Sequence, residues 1–405
     1  MKKRSAGIYA MRLLRLLLAA VVGVSMYFYS QVERPVLVNT EGRAFIQAEV
    51  TKVLQDNQQE NGSRIGDQLV QVRLTTGERK GELLQANCPN GMLFGAVCEP
   101  GSHVVLILSQ AGGMDSCTVY SLDRTIPVLA FVSLFFLLLC LVGGEKGVRS
   151  ALALLVTFGC FFLLFFPMLL CGNPPVYAAV LTSLVIVAAT LYLIHGWSHK
   201  ALAAGSAAFG GVVLAGAAAL LFGHAAGLSG YNVSNIEALL FVAQNTSIDV
   251  GQLLFAGILF ASLGAVLDIA MDVTSAVDEI HRRTPELQVK ELFQSGMNVG
   301  RDVMGTMSAT LILAFFGGSL GVWVLDYAYN LPWLQLLNSN AIGIEIMQGL
   351  SGSFGVILTV PLAAGISAGL AKRQGLTKEE QTADWQQRSD FSCIHEKSLD
   401  KPNLL

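Results

Sequence analysis

The chain has 405 residues, of which 53% are hydrophobic and only 14% are charged, and its formal net charge at pH 7 is -3. This apolar composition excludes an ordinary soluble protein of this length, and the small negative charge argues against a polyanionic partner such as nucleic acid. The sequence contains no zinc-finger spacing, Walker loop, dinucleotide-binding fingerprint or HExxH motif, so we expect no cofactor.

Long apolar stretches without Asp, Glu, Lys or Arg predict membrane-spanning helices, because about 18 apolar residues are enough to cross a bilayer. We predict eight spans, at residues 11–29, 126–143, 151–170, 175–194, 201–222, 251–273, 303–325 and 349–371. The first could be a signal peptide; we favour an uncleaved anchor, because its exit from Tyr27 to Gln31 lacks a small-x-small cleavage pattern. The predicted fold class is an α-helical polytopic membrane protein.

Lysine and arginine are distributed unevenly between the predicted loops. With a cytoplasmic N-terminus, the cytoplasmic connections carry Lys146, Arg149, Lys200, Arg282, Arg283, Lys290 and Arg301, and the tail begins with Lys372 and Arg373. The opposite loops, 171–175, 223–250 and 326–348, contain no Lys or Arg. This positive-inside pattern predicts a multi-pass protein of the plasma membrane with both termini in the cytoplasm.

The soluble segment 31–124 follows the first predicted span, and the same topology puts it outside the cytoplasm. Alternating apolar and polar residues with Gly and Asn turns predict strands at 44–53, 68–74, 82–85, 102–109 and 117–121. Five short strands predict a small β-rich domain, an OB-like barrel. OB barrels often bind nucleic acid, but the basic residues here are diluted by acidic ones, so we expect no nucleic-acid binding.

The predicted organisation has four parts. Residues 1–30 form the cytoplasmic N-terminus and first anchor, 31–124 the extracytoplasmic β-rich domain, 125–371 a bundle of seven transmembrane helices, and 372–405 a polar cytoplasmic tail. The composition of that tail is typical of a solvated or disordered end.

Three cysteines, Cys88, Cys98 and Cys117, lie in the predicted β-rich domain. If this domain is outside the cytoplasm, Cys88 and Cys98 are the best candidates for a disulfide. The alternative is three free thiols, because an odd number cannot pair completely.

Acidic residues lie in or beside two successive spans. Asp268 and Asp272 are four residues apart near the end of one span, and Asp302 is at the start of the next. A helix puts Asp268 and Asp272 one turn apart on one face. With Asp302 across a short hairpin, they could take up protons or bind a hard cation through oxygen ligands. The alternative is that Asp272 and Asp302 only mark helix ends, where Asp302 suits the helix dipole.

A polar stripe continues from Asp302 along the same predicted helix. Thr306 and Thr310 follow at intervals of four residues, so the three side chains share a face and could line a polar path. In that case Arg301 would balance the charge of the acids. The alternative is that both hydroxyls bond to backbone carbonyls of their own helix and Arg301 pairs locally.

Small residues in the spans predict close helix packing. Ala207, Gly211, Ala215 and Ala219 form a ladder at four-residue intervals, and Gly264, Gly305, Gly317 and Gly318 also remove side-chain bulk. Residues 285–296 predict a short amphipathic helix lying under the bilayer. His195 and His199 have no third ligand nearby, so we do not expect them to form a metal site.

Four segments carry a family resemblance: Gly264–Asp272, Lys290–Met307, Leu311–Ala314 and the tripeptide Val360-Pro361-Leu362. They resemble the YibE/F-like family of bacterial multi-span membrane proteins. The order of anchor, external β-rich segment and helical bundle fits as well. The resemblance covers most of residues 30–371 and is densest over 250–371. It implies a bacterial plasma-membrane protein, and it brings no catalytic residues to this chain.

The leading hypothesis for function is a transporter or permease-like protein, coupled to protons or a cation, that moves an unknown small solute or ion through the lipid bilayer. Asp268, Asp272 and Asp302 would be the coupling acids or ligands. The second hypothesis is a non-transporting scaffold whose segment 31–124 binds a cell-envelope protein. An intramembrane enzyme is third, because no nucleophile–base pair supports it.

Overall fold

A computed structural model describes residues 27, 31–32, 37, 42–58, 64–89, 96–111, 114–196, 198–233 and 236–399. The side chains of 110–111, 114–115 and 372–399 are not part of this description. Except for Tyr27, the predicted first span at 11–29 lies outside the described residues. The chain divides into two units, Val36–Gly144 and Glu145–Leu405 with Met1–Pro35.

Five strands form the β-rich part of the first unit: β1 (Arg43–Gln55), β2 (Gln68–Leu74), β3 (Leu83–Cys88), β4 (His103–Ala111) and β5 (Met114–Leu122). They close into a barrel in the order β1-β2-β3-β5-β4. Neighbouring strands are antiparallel except β3 and β5, which run parallel. All five predicted strands are confirmed, and β3 continues to Cys88 instead of ending at 85.

Strand alternation builds the core of the barrel. In β2, Val70, Val72 and Leu74 are buried, whereas Arg73 is exposed. The other strands complete this core with Ala48, Val50, Ala86, Val104, Leu106 and Val119. Closing the sheet pairs the strand edges that would otherwise be open to another chain.

Helices make up most of the second unit. They are α1 (Thr125–Cys160, which begins in the first unit), α2 (Phe166–Leu170), α3 (Pro175–His195), α4 (His199–Ala226), α5 (Ile236–Asn245), α6 (Val250–Arg283), α7 (Val289–Gly318), α8 (Leu320–Ala328), α9 (Trp333–Leu337) and α10 (Asn340–Leu399). A π-helical turn, Phe161–Phe165, joins α1 to α2, where Phe161 and Phe165 pack on Phe260 of α6.

Six stretches among the described residues are long and apolar enough to cross a membrane. They are Thr125–Leu170, Pro175–His195, His199–Ala226, Val250–Arg283, Val289–Gly318 and Asn340–Ala371. Large apolar side chains cover them; Ile126 and Val142 of α1 are 78% and 89% exposed. Such surfaces are rare on soluble proteins and indicate a membrane-embedded protein.

The predicted count of eight spans is not confirmed. The predicted spans at 126–143 and 151–170 fall within one helical stretch of 46 residues, Thr125–Leu170. The charged connection between them, which contains Glu145 and Arg149, is helical and not a loop. A positive φ of 54° at Gly144 interrupts the helical geometry where the two predicted spans meet.

Helices α4, α6 and α10 approach one another closely through small side chains. The ladder of Ala207, Gly211, Ala215 and Ala219 is buried, which confirms its predicted role in packing. A Cβ added at Gly211 would collide with Thr359 of α10 and lie 2.8 Å from the Val266 Cγ1 atom of α6. Because lipid provides no hydrophobic drive between helices, such van der Waals contacts stabilise the bundle.

Helix α7 packs against α6 and α10 through two glycines. A Cβ at Gly296 would lie 2.8 Å from Val277 Cγ2 and 2.9 Å from Ala364 Cβ. A Cβ at Gly300, one turn later, would collide with Val360. The backbone of α7 therefore lies directly against its neighbours along this edge.

The prediction of a separate amphipathic helix at 285–296 is wrong. Gln288 and Glu291 form a capping box that starts α7 at Val289, and the helix then continues to Gly318. Leu292 is fully buried with Val277 in a core cluster instead of facing a lipid surface.

The predicted packing role of four other glycines is also wrong. A Cβ at Gly264, Gly305, Gly317 or Gly318 would have no described atom within 4 Å. Glycine spacing identifies a surface that permits close approach, but it does not identify which face receives a partner.

The polar C-terminal segment continues a helix. The backbone of α10 is helical over 60 residues, from Asn340 to Leu399, so the part predicted as a disordered tail is helical as far as Leu399.

We expect Gly300→Ala to lower the stability of the bundle by about 1–3 kcal/mol, because its new methyl group overpacks the contact with Val360. Gly305→Ala is a matched control on the same helix, since its methyl group enters open space. Thermal unfolding of the purified full-length chain in detergent measures both. Equal melting temperatures for the two variants would contradict this packing.

Candidate functional site

Helix α6 is the central element on which the predicted acids lie. One side of it is buried, including Val266, Ile269, Ala270, Val273 and Val277. The other side is exposed and carries Gly257, Ala261, Gly264, Asp268 and Asp272 at helical spacing. The two carboxylates therefore lie one turn apart on the outside of the bundle.

Helix α7 has a similar division of its faces. Gly296 and Gly300 face the bundle, whereas Arg301, Asp302, Thr306 and Thr310 are exposed. The Asp302, Thr306 and Thr310 stripe is therefore an outer face of the described structure, and it does not line an enclosed channel.

The two threonine hydroxyls are satisfied by their own helix. Thr306 Oγ1 donates to the Val303 carbonyl over 2.8 Å, and Thr310 Oγ1 donates to the Thr306 carbonyl over 2.9 Å. Such bonds from a hydroxyl to its own helix are the alternative to a polar path that the sequence left open. Each oxygen still has lone pairs that can accept a hydrogen bond from water or solute.

The charged residues of the site differ in their ion pairing from those at the end of α6. There, Asp278 pairs with Arg282 over 2.9 Å, and Glu279 pairs with Arg283 over 2.7 Å. Within the described part of the chain, Asp268, Asp272, Arg301 and Asp302 make no hydrogen bond or ion pair through their side chains. The alternative in which Arg301 pairs locally is therefore not observed among the described residues.

Asp268 and Asp302 lie inside long helices and not at their ends. Asp268 is 14 residues before Arg282, which corresponds to about 21 Å along a helix. Asp302 directly follows Arg301 and is 12 residues after Lys290, or about 18 Å. A carboxylate within a membrane span is costly unless it is solvated, protonated or paired.

The acids are not gathered into a metal site. No group of three or more His, Cys, Asp or Glu side chains in the described residues is arranged to hold a metal ion. Asp302 is therefore not brought together with Asp268 and Asp272 as a three-carboxylate centre. Among the described residues, His195 and His199 are also not part of such a group.

A groove of about 170 Å³ lies at the other end of α7, between α7, α8 and α10. Its lining is Ile312, Phe315, Phe316, Trp323, Glu345, Ile346, Gly349 and Leu350. Phe316 and Trp323 are in contact, with ring centroids 5.3 Å apart, and the buried indole Nε1 of Trp323 has no hydrogen-bond partner among the described residues. The sequence did not predict this groove, and its one acid, Glu345 in an uncharged stretch, could equally have belonged to a solvated loop.

A family model described as YibE/F-like protein matches residues 131–373. No curated protein and no solved structure matches the chain. The matched region contains most of α1 and all of α2 to α9, and it includes every candidate acid. The chain therefore belongs to the YibE/F-like family.

Proposed function

We propose that this YibE/F-like membrane protein is a permease coupled to protons or a cation. The observation that carries the proposal is the set of three exposed carboxylates, Asp268, Asp272 and Asp302, on α6 and α7. In the proposed mechanism water reaches these groups from one side of the membrane, since water or protonation relieves the cost of a charge in hydrocarbon.

The other polar residues have supporting roles in this proposal. Thr306 and Thr310 extend the polar face of α7 beyond Asp302, and their oxygens accept hydrogen bonds from water or a solute. Arg301 is exposed on the same helix and offsets the negative charge when the acids ionise. These three carboxylates are not grouped in the described residues in a way that could hold one metal ion, which favours protons over a tightly bound hard cation.

The proposed topology has a cytoplasmic N-terminus and C-terminus in a bacterial plasma membrane. The ion-paired end of α6, with Arg282 and Arg283, supports a cytoplasmic position for the connection to α7. With the two parts of Thr125–Leu170 on either side of Gly144 proposed as separate crossings, the barrel lies outside the cytoplasm. Its five strands and their closed order support an OB-like domain.

The first test is water access to the polar face. We expect Asp268→Cys and Thr306→Cys, each in a chain without its seven native cysteines, to react with a membrane-impermeant thiol reagent. Leu313→Cys is a matched control, because Leu313 is 66% exposed on α7 but apolar, so lipid should protect it. Protection of positions 268 and 306 from both sides of the membrane would reject a transport path.

A second prediction concerns the coupling acids. We expect the labelling of Thr306→Cys to change with pH, because protonation of the three coupling acids alters local hydration. Replacing Asp268, Asp272 and Asp302 together by Asn should make that labelling independent of pH. Each rate is normalised to the same cysteine in denatured protein, which removes the ionisation of the thiol itself. A pH response that survives all three substitutions would show that other groups are responsible.

The second candidate function, a scaffold, is favoured by a different observation on the barrel. Phe45 is 60% exposed and packs edge-on against Tyr120, with ring centroids 5.5 Å apart. Exposed aromatic residues are common at protein interfaces. This surface would bind a cell-envelope protein while the membrane helices serve as an anchor.

Photo-crosslinking in intact cells distinguishes this candidate. A photoreactive phenylalanine at position 45 should give one adduct of defined mass if the aromatic surface is an interface. The same group at Glu78, which is exposed on the connection between β2 and β3, is the control. Adducts at neither position, together with a water-accessible Asp268, would favour the permease over the scaffold.

A further inference from the structure

Two buried cysteines of the barrel are in direct contact. Cys88 ends β3, and Cys98 lies before β4; each is 1% exposed. The Cys98 thiol donates a hydrogen bond to the Cys88 sulfur, and the two Sγ atoms are 3.3 Å apart. Both side chains belong to the core cluster of the barrel, so the contact is part of its interior.

A buried glutamine fixes the approach of the second cysteine. Gln68 lies opposite Cys88 in the pairing of β2 with β3 and is 2% exposed. Its Oε1 atom accepts from the Cys98 backbone N–H over 2.9 Å, and its Nε2 atom donates to the Cys98 carbonyl over 3.4 Å. The backbone of Cys98 is thus held beside Cys88 by an amide that satisfies both of its polar groups.

One contact favours the thiolate form of Cys88. The hydrogen bond from Cys98 lowers the pKa of the Cys88 thiol to about 7, and the same bond raises the pKa of Cys98. Both backbone groups of Ala96 also contact the Cys88 sulfur: the N–H donates to it over 3.4 Å, and the carbonyl accepts from the thiol over 2.8 Å. The bond to the carbonyl favours the thiol, and loss of that proton gives the thiolate that attacks a disulfide.

We propose that Cys88 and Cys98 are joined by a disulfide, which links the end of β3 to the residues just before β4. The inference rests on the proposed extracytoplasmic location of the barrel, because disulfides persist in oxidising compartments. Since both sulfurs are buried in the closed barrel, the bond forms while the barrel is folding.

The oxidant is an external disulfide, such as that of a dithiol oxidoreductase of the cell envelope or a small-molecule disulfide. The Cys88 thiolate attacks one of its sulfurs, forms a mixed disulfide and releases one thiol. Cys98 then loses its proton and attacks the Cys88 sulfur, and the second external thiol leaves. Two protein thiols are oxidised, and one external disulfide is reduced to two thiols.

The test counts the thiols that reduction releases. Membranes containing the full-length chain are quenched with acid and denatured, free thiols are blocked with N-ethylmaleimide, and the sample is reduced and treated with maleimide-polyethylene glycol. We expect two polymer additions after reduction. Cys88→Ser and Cys98→Ser should each abolish both additions, because the remaining partner is blocked in the first step. Cys117→Ser should keep both.

A full-length chain that gains no polymer after reduction would overturn the proposal. Two further measurements identify the premise that failed. The purified reduced chain is denatured and refolded in the presence of glutathione disulfide, and failure to oxidise during refolding would show that the pair cannot bridge. Glu78→Cys in a cysteine-free chain is labelled from outside the cell with an impermeant reagent, and protection there would show that the barrel location was wrong, independently of the permease proposal.

Discussion

The close approach of α4, α6 and α10 is the constraint on which the bundle depends. Helix backbones can meet at this distance only where side chains are small, as at Gly211 and Gly355. Alanine and glycine lose almost no side-chain entropy on packing, so these contacts stabilise helix association without an entropy cost from the side chains. The same packing fixes the rotation of α6. With Val266 and Ile269 held inside, Asp268 and Asp272 are necessarily directed outward.

This arrangement gives the two acidic helices different mechanical roles in the proposed permease. Helix α6 contacts α3, α4, α7 and α10, so a displacement of Asp268 would require several interfaces to move together. Helix α7 is held along one edge by Gly296 and Gly300, and its polar face is open. Packed interfaces change between discrete arrangements more readily than they deform. A movement of α7 in the proposed permease would therefore change its packed contacts with both α6 and α10.

Sequence patterns predicted the strands and the helical periodicity well, but they did not predict which neighbouring helix each face contacts. Period-two alternation identified all five strands, because one face of each is buried in a single core. The start of α7 was misjudged, since its first turns are polar and only Leu292, Gly296 and Gly300 bury them. Helical spacing put Asp268 and Asp272 on one face, but only the neighbouring helices determine that this face is exposed. The groove at Trp323 and Glu345 combines three helices, which no local pattern reveals.

The contact between Thr359 and Gly211 also selects the register of α10 on α4. Thr359 is fully buried, donates to the Gly355 carbonyl over 2.6 Å, and occupies the space that a side chain at position 211 would need. A slide of one turn, about 5.4 Å, would bring Thr359 against Ala207 or Ala215, whose methyl groups fill that space. Among the four small residues of the ladder, one is glycine, so one register leaves space for the Thr359 side chain. The packing of Thr359 at Gly211 thus favours a single register of α10 on α4.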